Sequence, residues 1–580
     1  MIKIDFSNAF NSIRRDVVME AVANHLPELL PFVTAAYGST SSLSFSNITI
    51  DSAEGVQQGD PLGPLLFCIA IHDMLQNVNC EFVSGYLDDV ALGDSADKVI
   101  SAVKQLEVDA AAIGLSLNHS KCEVIGLSDE SRRSWDLSGL DFLVPDQEDV
   151  SLLEAPLHVS GVDLILAEHI SKLELAALRL TKMAAHEALF LLKHSLAIPK
   201  LMYHLRASPC FQSSVPATFD SLVQNLITKC LNISFASTAL EQAALPVRWG
   251  GLGIRSASSL APSAFLASIS ASSVLIASLL PEKYRLTLDP LVDAATSCWL
   301  ALGGFIIPSP DIAHIQRKWD EQICSSKAKA LLQTTDSREK ARLFGVQATG
   351  SGSWLHALPS AALGLRLSDD EVRIAVGLRL GATLVRPHSC PCGAQVDVTG
   401  HHGLSCRRSA GRLIRHSLAN DAIARAFRSV DVPVELEPSG LLRGDGKRPD
   451  GATLIPWSRR RCLVWDFTCP DTLAQSHIHQ SSLASGSAAS VAETNKTIKY
   501  GDISQAYNFA PFAIETLGGW GPVALELSSE LGSRIAAKNG DPRSTSFLRQ
   551  RMDVIIQRGN AASIRGTMTN FALCSDSDPE

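Results

Sequence analysis

The stretch Gly85-Tyr86-Leu87-Asp88-Asp89-Val90 decides how the N-terminal part of this chain is read. Two adjacent carboxylates sit between apolar residues, Phe82 and Val83 before them and Val90, Ala91 and Leu92 after. Short apolar runs broken by glycine predict two strands of a hairpin with a tight turn between them. Successive strand side chains point to opposite faces, so Asp88 and Asp89 reach one site only if the turn re-aims one of them. Paired acids at such a tip suit a hard divalent cation, because Mg²⁺ prefers carboxylate oxygens and substrate phosphates. A lone Asp-Asp in a turn is more often a solvated surface feature. Its company in the chain decides between the two.

Upstream, Ile2, Ile4 and Phe6 alternate with Lys3 and Asp5, a strand pattern that delivers Asp5 near the strand's end, with a helix from around Ser12. Gly55-Val56-Gln57-Gln58-Gly59-Asp60-Pro61-Leu62 opens a Gly/Pro-dense loop that leads into an apolar helix over residues 65–75. Glycine there permits close backbone approach, and free N–H groups at a helix start suit a phosphate or a nucleotide edge. An ordinary loop before a core helix reads the same way. Downstream, residues 95–113 have helical spacing and end at Gly114-Leu115; Asn118 and Lys121 then precede a strand-like run over 123–126.

In order and spacing these four pieces resemble motifs A, B, C and D of a reverse transcriptase palm. The wording is closest to non-LTR retrotransposon enzymes: Asp5-Phe6-Ser7-Asn8-Ala9-Phe10, Gly55 to Leu62, Tyr86-Leu87-Asp88-Asp89, and Gly114-Leu115-Ser116-Leu117-Asn118-His119-Ser120-Lys121. The resemblance implies that Asp5 and Asp88 hold two Mg²⁺ (or Mn²⁺) ions, with Asp89 supporting them less directly. It implies that Phe10 stands against the sugar 2′ position and that Gln58 and Gly59 line the incoming nucleotide and template. Lys121 would neutralise or protonate the leaving phosphate. The family's fingers region precedes motif A, which here begins at residue 5, so the expectation is a chain without fingers that polymerises poorly on its own.

Residues 165–233 carry helical patterns with Lys172, Arg179, Lys182, Lys193 and Lys200 among apolar positions; in the family this is the thumb, although generic surface charge explains the lysines equally. Leu245-Pro246-Val247-Arg248-Trp249-Gly250-Gly251-Leu252-Gly253-Ile254 resembles a Gly-rich segment that follows the thumb in LINE-type enzymes. From 256 to 380 the chain is helical in pattern and rich in Ala, Ser and Leu, with no visible chemistry.

A second constellation begins at Cys390-Pro391-Cys392, followed by His401, His402 and Cys406. Counted with His401, these form a Cys₃His set for tetrahedral zinc, with His388 and His402 as alternative ligands and a reduced-thiol loop as the metal-free reading. Residues 407–461 then hold twelve Lys or Arg against six acids, a local positive excess that suits phosphate contacts or forms a solvated face. Within it lies Lys447-Arg448-Pro449-Asp450-Gly451, then a strand, Cys462-Leu463-Val464-Trp465-Asp466-Phe467, that projects Asp466. A helix over 492–500 follows, with Lys496 and Lys499 near one face. Two acids on successive strands suit a metal, and a lysine suits positioning of the attacking water. This order resembles the restriction-like endonuclease, of the PD-(D/E)xK superfamily, found at the C-terminus of certain site-specific non-LTR retrotransposons. Asp450 and Asp466 match its acids. The motif's lysine position is Thr468, and related elements take the lysine from the following helix, which points to Lys496, or secondarily Lys499. A helix from 542 to 558 carries Arg549, Arg551 and Arg558, and the tail 574–580 is acidic.

Composition bounds the rest. The chain has 580 residues, 46% apolar and 19% charged, which describes a globular protein of three or four domains. A net charge of −9 disfavours whole-surface nucleic-acid binding and leaves it to local basic patches. Thirteen scattered cysteines suggest reduced thiols and one metal site rather than a disulfide scaffold. The charge-free stretch from Pro262 to Pro281 has the length of a membrane span, but its Ser and Ala content and flanking prolines favour a buried helix.

The expectation is therefore an α+β multidomain protein: palm at 1–126, palm end and thumb at 127–255, helical connector at 256–385, Cys/His element at 386–410, α/β restriction-like nuclease at 411–530, and a C-terminal helix and tail at 531–580. Expected partners are element RNA, target DNA and dNTPs, with no membrane and no targeting signal, and with function in the nucleus. Two rivals stay open: a catalytically inactive or co-opted nucleic-acid-binding relic, and a group II intron maturase, whose usual nuclease finds no match here.

Overall fold

The hairpin that opens the sequence argument forms from Phe82–Tyr86 and Asp89–Gly93, paired antiparallel with Tyr86 opposite Asp89. Its two-residue turn is Leu87-Asp88, with Leu87 at φ 60°, a left-handed conformation that a tight hairpin requires and a leucine seldom adopts. The strand Ile2–Ile4 pairs antiparallel with Asp89–Gly93, and Glu123–Val124 pairs with Ile2–Ile4 on its other edge. The computed structural model describes residues 1–126, 135, 138–280, 289–333, 336–441 and 448–568. Arg443, Asp445 and Lys447 of the basic segment, and the acidic tail, lie outside the described residues.

Two compact units emerge. The first comprises Met1–Ile165, Ala207–Ser213 and Phe265–Ala295. Its four-stranded antiparallel sheet buries Ile2, Ile4, Val90 and Leu92 against Val18 and Val22 of helix Arg15–His25, Leu66, Phe67 and Ile71 of helix Gly63–Gln76, and Val103 and Leu106 of helix Ala96–Ala112. Each such fully buried side chain contributes about 1.5–3 kcal/mol. The helix expected from Ser12 is instead a short turn, Ala9–Ser12, followed by Arg15–His25.

The second unit comprises Leu166–Arg206, Ser214–Ala264 and Thr296–Glu580. Its first part is helical, including Ala185–Leu191, Val215–Leu231, Gln316–Gln333, Ser337–Gln347 and Asp369–Leu380. The last of these is almost wholly buried and opens on a capping box between Ser368 and Glu371. Beyond it a mixed sheet runs in the order Val434–Leu436, Gly451–Thr453, Leu463–Thr468, Asn508–Ala513. The last two strands are parallel, and helix Ser487–Lys499 lies in the crossover between them, as parallel pairing demands. Helices Ala410–Ser429, Pro522–Asn539 and Ser544–Arg565 share the sheet's apolar core through Phe427, Leu527 and Ile556. The C-terminal helix is therefore part of this core.

Helix Ala257–Leu279 is long and apolar enough by length and composition to cross a membrane, and 44% of its most apolar window is buried. Pro262 sits inside the helix, in its second turn, where it removes one i→i−4 hydrogen bond.

Candidate active sites and a candidate metal centre

In the first unit the register sets Ile4 opposite Val90. Continued by one residue, it brings Asp5 level with Asp89 at the hairpin, on the face opposite the core. The acids sense one another: burial and the neighbouring Asp88 carboxylate, with a smaller push from Asp5, hold the Asp89 carboxyl above its ordinary range. Lys3 counters only part of this. Such concentrated negative charge fits a divalent cation.

The segment carrying Lys121 is tied to the same strand. The Asn118 N–H donates to the Asp5 carbonyl at 2.8 Å, and the Ser7 N–H donates to the Ser116 carbonyl at 2.8 Å. Lys121 itself is exposed. Phe10 stacks on Phe67 with ring centroids 4.5 Å apart, which fixes it on the helix that follows the Gly-rich loop. In that loop Gln58 and Gly59 are exposed, and Gly59 has φ 89° with open space where a Cβ would be. Gly55 is required for another reason: at φ 69°, its Cβ would lie 2.5 Å from the Asn11 Cα. Arg15 clamps the loop from beneath, donating to the carbonyls of Gly55 and Ser52 at 3.0 and 2.8 Å.

In the second unit, Asp466 emerges from the central strand and Asp450 immediately precedes the neighbouring one, their backbones paired through Asp450 N–H to the Trp465 carbonyl at 3.0 Å. The Lys496 ammonium donates to Asp466 Oδ1. Asp450 Oδ2 accepts the Phe467 N–H at 2.5 Å. The two acids and Lys496 are thus brought together; Lys499 instead donates to the Tyr500 hydroxyl at 3.1 Å. Beside them opens a cleft of about 610 Å³ lined by Arg407, Arg408, Arg412, His416, Thr468 and Lys496.

Residues 1–144 match the reverse transcriptase (RNA-dependent DNA polymerase) family. The chain is 24% identical over 551 residues to the retrotransposable element SLACS 132 kDa protein of Trypanosoma brucei gambiense, covering 89% of this chain and 41% of that protein. It is also 24% identical over 496 residues to the Pol polyprotein of the type-2 retrotransposable element R2DM of Drosophila melanogaster, covering 77% of this chain and 44% of that one. Residues 1–144 thus form a reverse transcriptase domain, in a chain similar to proteins of non-LTR retrotransposons. The chain spans less than half the length of these two relatives.

The chain also holds the Cys/His cluster, with one correction. The ligand atoms of Cys390, Cys392, His402 and Cys406 all lie within 4.8 Å of one another. His401, counted in the expected set, is not among them: it is buried, its Nδ1 meets no partner among the described residues, and burial pushes its pKa down to about 4. The reason is local. His402 starts the short helix His402–Ser405, whose turn returns the Cys406 N–H to the His402 carbonyl at 3.0 Å and puts both side chains on one side. His388 is engaged elsewhere, with Nε2 3.0 Å from the Thr567 hydroxyl and Nδ1 2.8 Å from the Arg386 carbonyl.

The single-residue gap between Cys390 and Cys392 is accommodated by a hairpin. His388–Ser389 pairs with Gln395–Val396, the Gly393 N–H donates to the Cys390 carbonyl at 2.8 Å, and Gly393 takes φ 90°. Cys390 and Cys406 sulfurs stand 3.8 Å apart, and Cys392 Sγ lies 3.2 Å from His402 Nε2. Zinc–sulfur bonds of about 2.3 Å at tetrahedral angles place two thiolates about 3.8 Å apart, so the donors fit zinc.

His416 is a site residue that no motif announced. It lies on helix Ala410–Ser429 with Nε2 3.1 Å from Asp450 Oδ2, and that carboxylate raises its pKa. Its only sequence signal is a histidine on the helix that follows the last zinc-type cysteine.

Proposed function

We propose that this chain supplies both chemical steps of target-primed reverse transcription: nicking of target DNA by the C-terminal acids, and copying of element RNA from the exposed 3′-end by the palm acids. The observation that carries the nicking half is the Lys496–Asp466 contact beside Asp450 in a basic cleft. The reverse transcriptase match over residues 1–144 carries the copying half.

Mg²⁺ (or Mn²⁺), when held by Asp5 with Asp88 and by Asp450 with Asp466, supplies charge neutralisation at phosphoryl oxygens and activation of the attacking oxygen. In the nuclease, Lys496 orients a water against the phosphodiester. The water oxygen bonds to phosphorus, the bond from phosphorus to the 3′-oxygen breaks, and the strand is left with a 3′-hydroxyl. Arg407, Arg408 and Arg412 bind flanking phosphates. In the palm, a primer 3′-hydroxyl attacks the α-phosphorus of a dNTP, the bond to the β-phosphate breaks, and Lys121 offers a proton to the departing pyrophosphate. Phe10, braced by Phe67, excludes a ribose 2′-hydroxyl. Such chemistry places the protein's work on chromosomal DNA, with element RNA as template.

Supercoiled plasmid nicking in Mg²⁺, measured for the chain and its Asp450→Ala variant, tests the first half. Primer extension on an RNA template, measured with Asp88→Ala, tests the second. Nicking equal in chain and variant overturns the nuclease assignment. Loss of both activities from well-folded protein moves the reading to a nucleic-acid-binding relic.

A further inference from the structure

A directional hydrogen-bond chain leads from the buried core of the second unit to Asp450. The Trp465 indole, fully buried, donates to Asn420 Oδ1 at 3.0 Å. An indole N–H can only donate, so this contact fixes which way the Asn420 amide faces. The Asn420 Nδ2 group then points at His416 Nδ1, 3.3 Å away. An amide NH₂ only donates, so Nδ1 accepts and the imidazole proton resides on Nε2. That Nε2–H faces Asp450 Oδ2 at 3.1 Å, beside the Phe467 N–H that reaches the same oxygen. The ring is held in plane by an edge-on contact with Phe467, centroids 5.8 Å apart.

We propose that Asn420 and His416 are positioning residues of the nuclease, a relay that occupies Asp450 Oδ2 with two donors and leaves Oδ1 to face a divalent cation. The proposal rests on the nuclease reading above. His416 and Asn420 lie one helical turn apart on Ala410–Ser429, and Trp465 precedes Asp466 on the central strand. The relay therefore locks helix and strand into the register that sets the distance between the two acids. Oriented outer partners of this kind commonly fix metal-binding groups, because a carboxylate free to rotate loses entropy each time it binds.

The test uses the zinc-loaded full chain carrying Asp5→Asn and Asp88→Asn to remove the two palm ligands, titrated with Mn²⁺ and followed by water-proton relaxation. Asp450→Ala identifies the affinity that belongs to the nuclease acids. His416→Ala is expected to weaken that affinity about tenfold or more, and His416→Gln, whose amide can still donate to Asp450, to restore it to within about threefold. Long-range nitrogen–proton spectra of histidine-labelled protein are expected to show His416 as the Nε2–H tautomer, and Asn420→Ala is expected to weaken the Mn²⁺ affinity by less than His416→Ala does. Unchanged Mn²⁺ affinity in His416→Ala, a His416→Gln variant as weak as His416→Ala, or an Nδ1–H tautomer in the unsubstituted relay overturns the proposal. If Asp450→Ala leaves Mn²⁺ affinity unchanged, the nuclease reading itself fails and takes the relay with it. Thermal melts of each variant separate a lost relay from a lost fold.

Discussion

Asp466 is 3% exposed, and its charge is met by the Lys496 ammonium, whose side chain is a quarter exposed. Removing that ammonium strands a carboxylate in a low-dielectric pocket, a change that costs about 3–5 kcal/mol for a fully buried pair and about 2 kcal/mol here, where solvent reaches the lysine. Lys496→Met is expected to lower stability by about that amount in urea melts and to reduce nicking about a hundredfold or more. Duplex binding should change little, because the arginines of the cleft remain; a variant that nicks normally would remove Lys496 from the mechanism. Asp450, Asp466 and Lys496 were legible in the sequence because their order and spacing carry a resemblance that no single residue has. His416 and Asn420 were not. Each acts through a contact between a helix and a strand tens of residues apart, and a histidine one turn from an asparagine on a helix has no chemical signature until the facing strand is known. The palm residues were legible in type, but Asp5 meets Asp89 only through antiparallel register, which alternation by itself cannot specify.

The Cys/His element shows the same limit one scale up. Adjacent histidines cannot be separated by spacing, and the short helix His402–Ser405 makes the choice. His402→Ala is expected to lose zinc to well below one ion per chain by metal analysis. His401→Gln should keep it, and equal loss in both would reject the assignment. Because helix Ala410–Ser429 follows this element directly, zinc removal should depress nicking while leaving primer extension in place. The Gly-rich segment at 245–254 gains a physical reason that its sequence could not supply. The buried Arg379 guanidinium donates to the carbonyls of Gly251 and Val247 at 2.9 and 2.7 Å, and to the Ser351 hydroxyl at 3.1 Å. Gln242 adds a bond to the Gly250 carbonyl at 2.8 Å. A Cβ on Gly251 would stand 2.0 Å from the Leu245 carbonyl oxygen. Gly251→Ala is therefore expected to cost about 2–4 kcal/mol, in the range of strain and unsatisfied buried groups. Combined with Arg379→Met it should cost less than the two changes summed, because both break the same network. Additive losses in denaturant melts would show that the segment and the arginine act independently.

Across the whole molecule, a net charge of −9 coexists with a cleft walled by Arg407, Arg408 and Arg412. Acidic surface elsewhere repels a polyanion, so the proposed duplex substrate would be drawn to the places where cations cluster, and binding there would release counterions from each neutralised phosphate. Arg415 lines the same cleft, but it is buried and its guanidinium donates to Asn560 at 2.6 Å, so it braces the helix rather than reaching out to a phosphate. The cleft also extends past Lys496 toward Asp471 and His477 along a second wall that shares Arg412. Arg412 thus stands where both stretches of the groove meet. Replacing it with alanine is expected to reduce the slope of log affinity against log salt by about one for duplex DNA, with the loss uniform across sequences. Arg415→Ala should instead lower thermal stability and leave the salt slope nearly unchanged, because it removes a buried brace and no phosphate contact. Fluorescence anisotropy at four or more salt concentrations measures both. If Arg415→Ala flattens the salt dependence as much as Arg412→Ala does, the groove is not the DNA path, and the duplex runs over another face of the molecule.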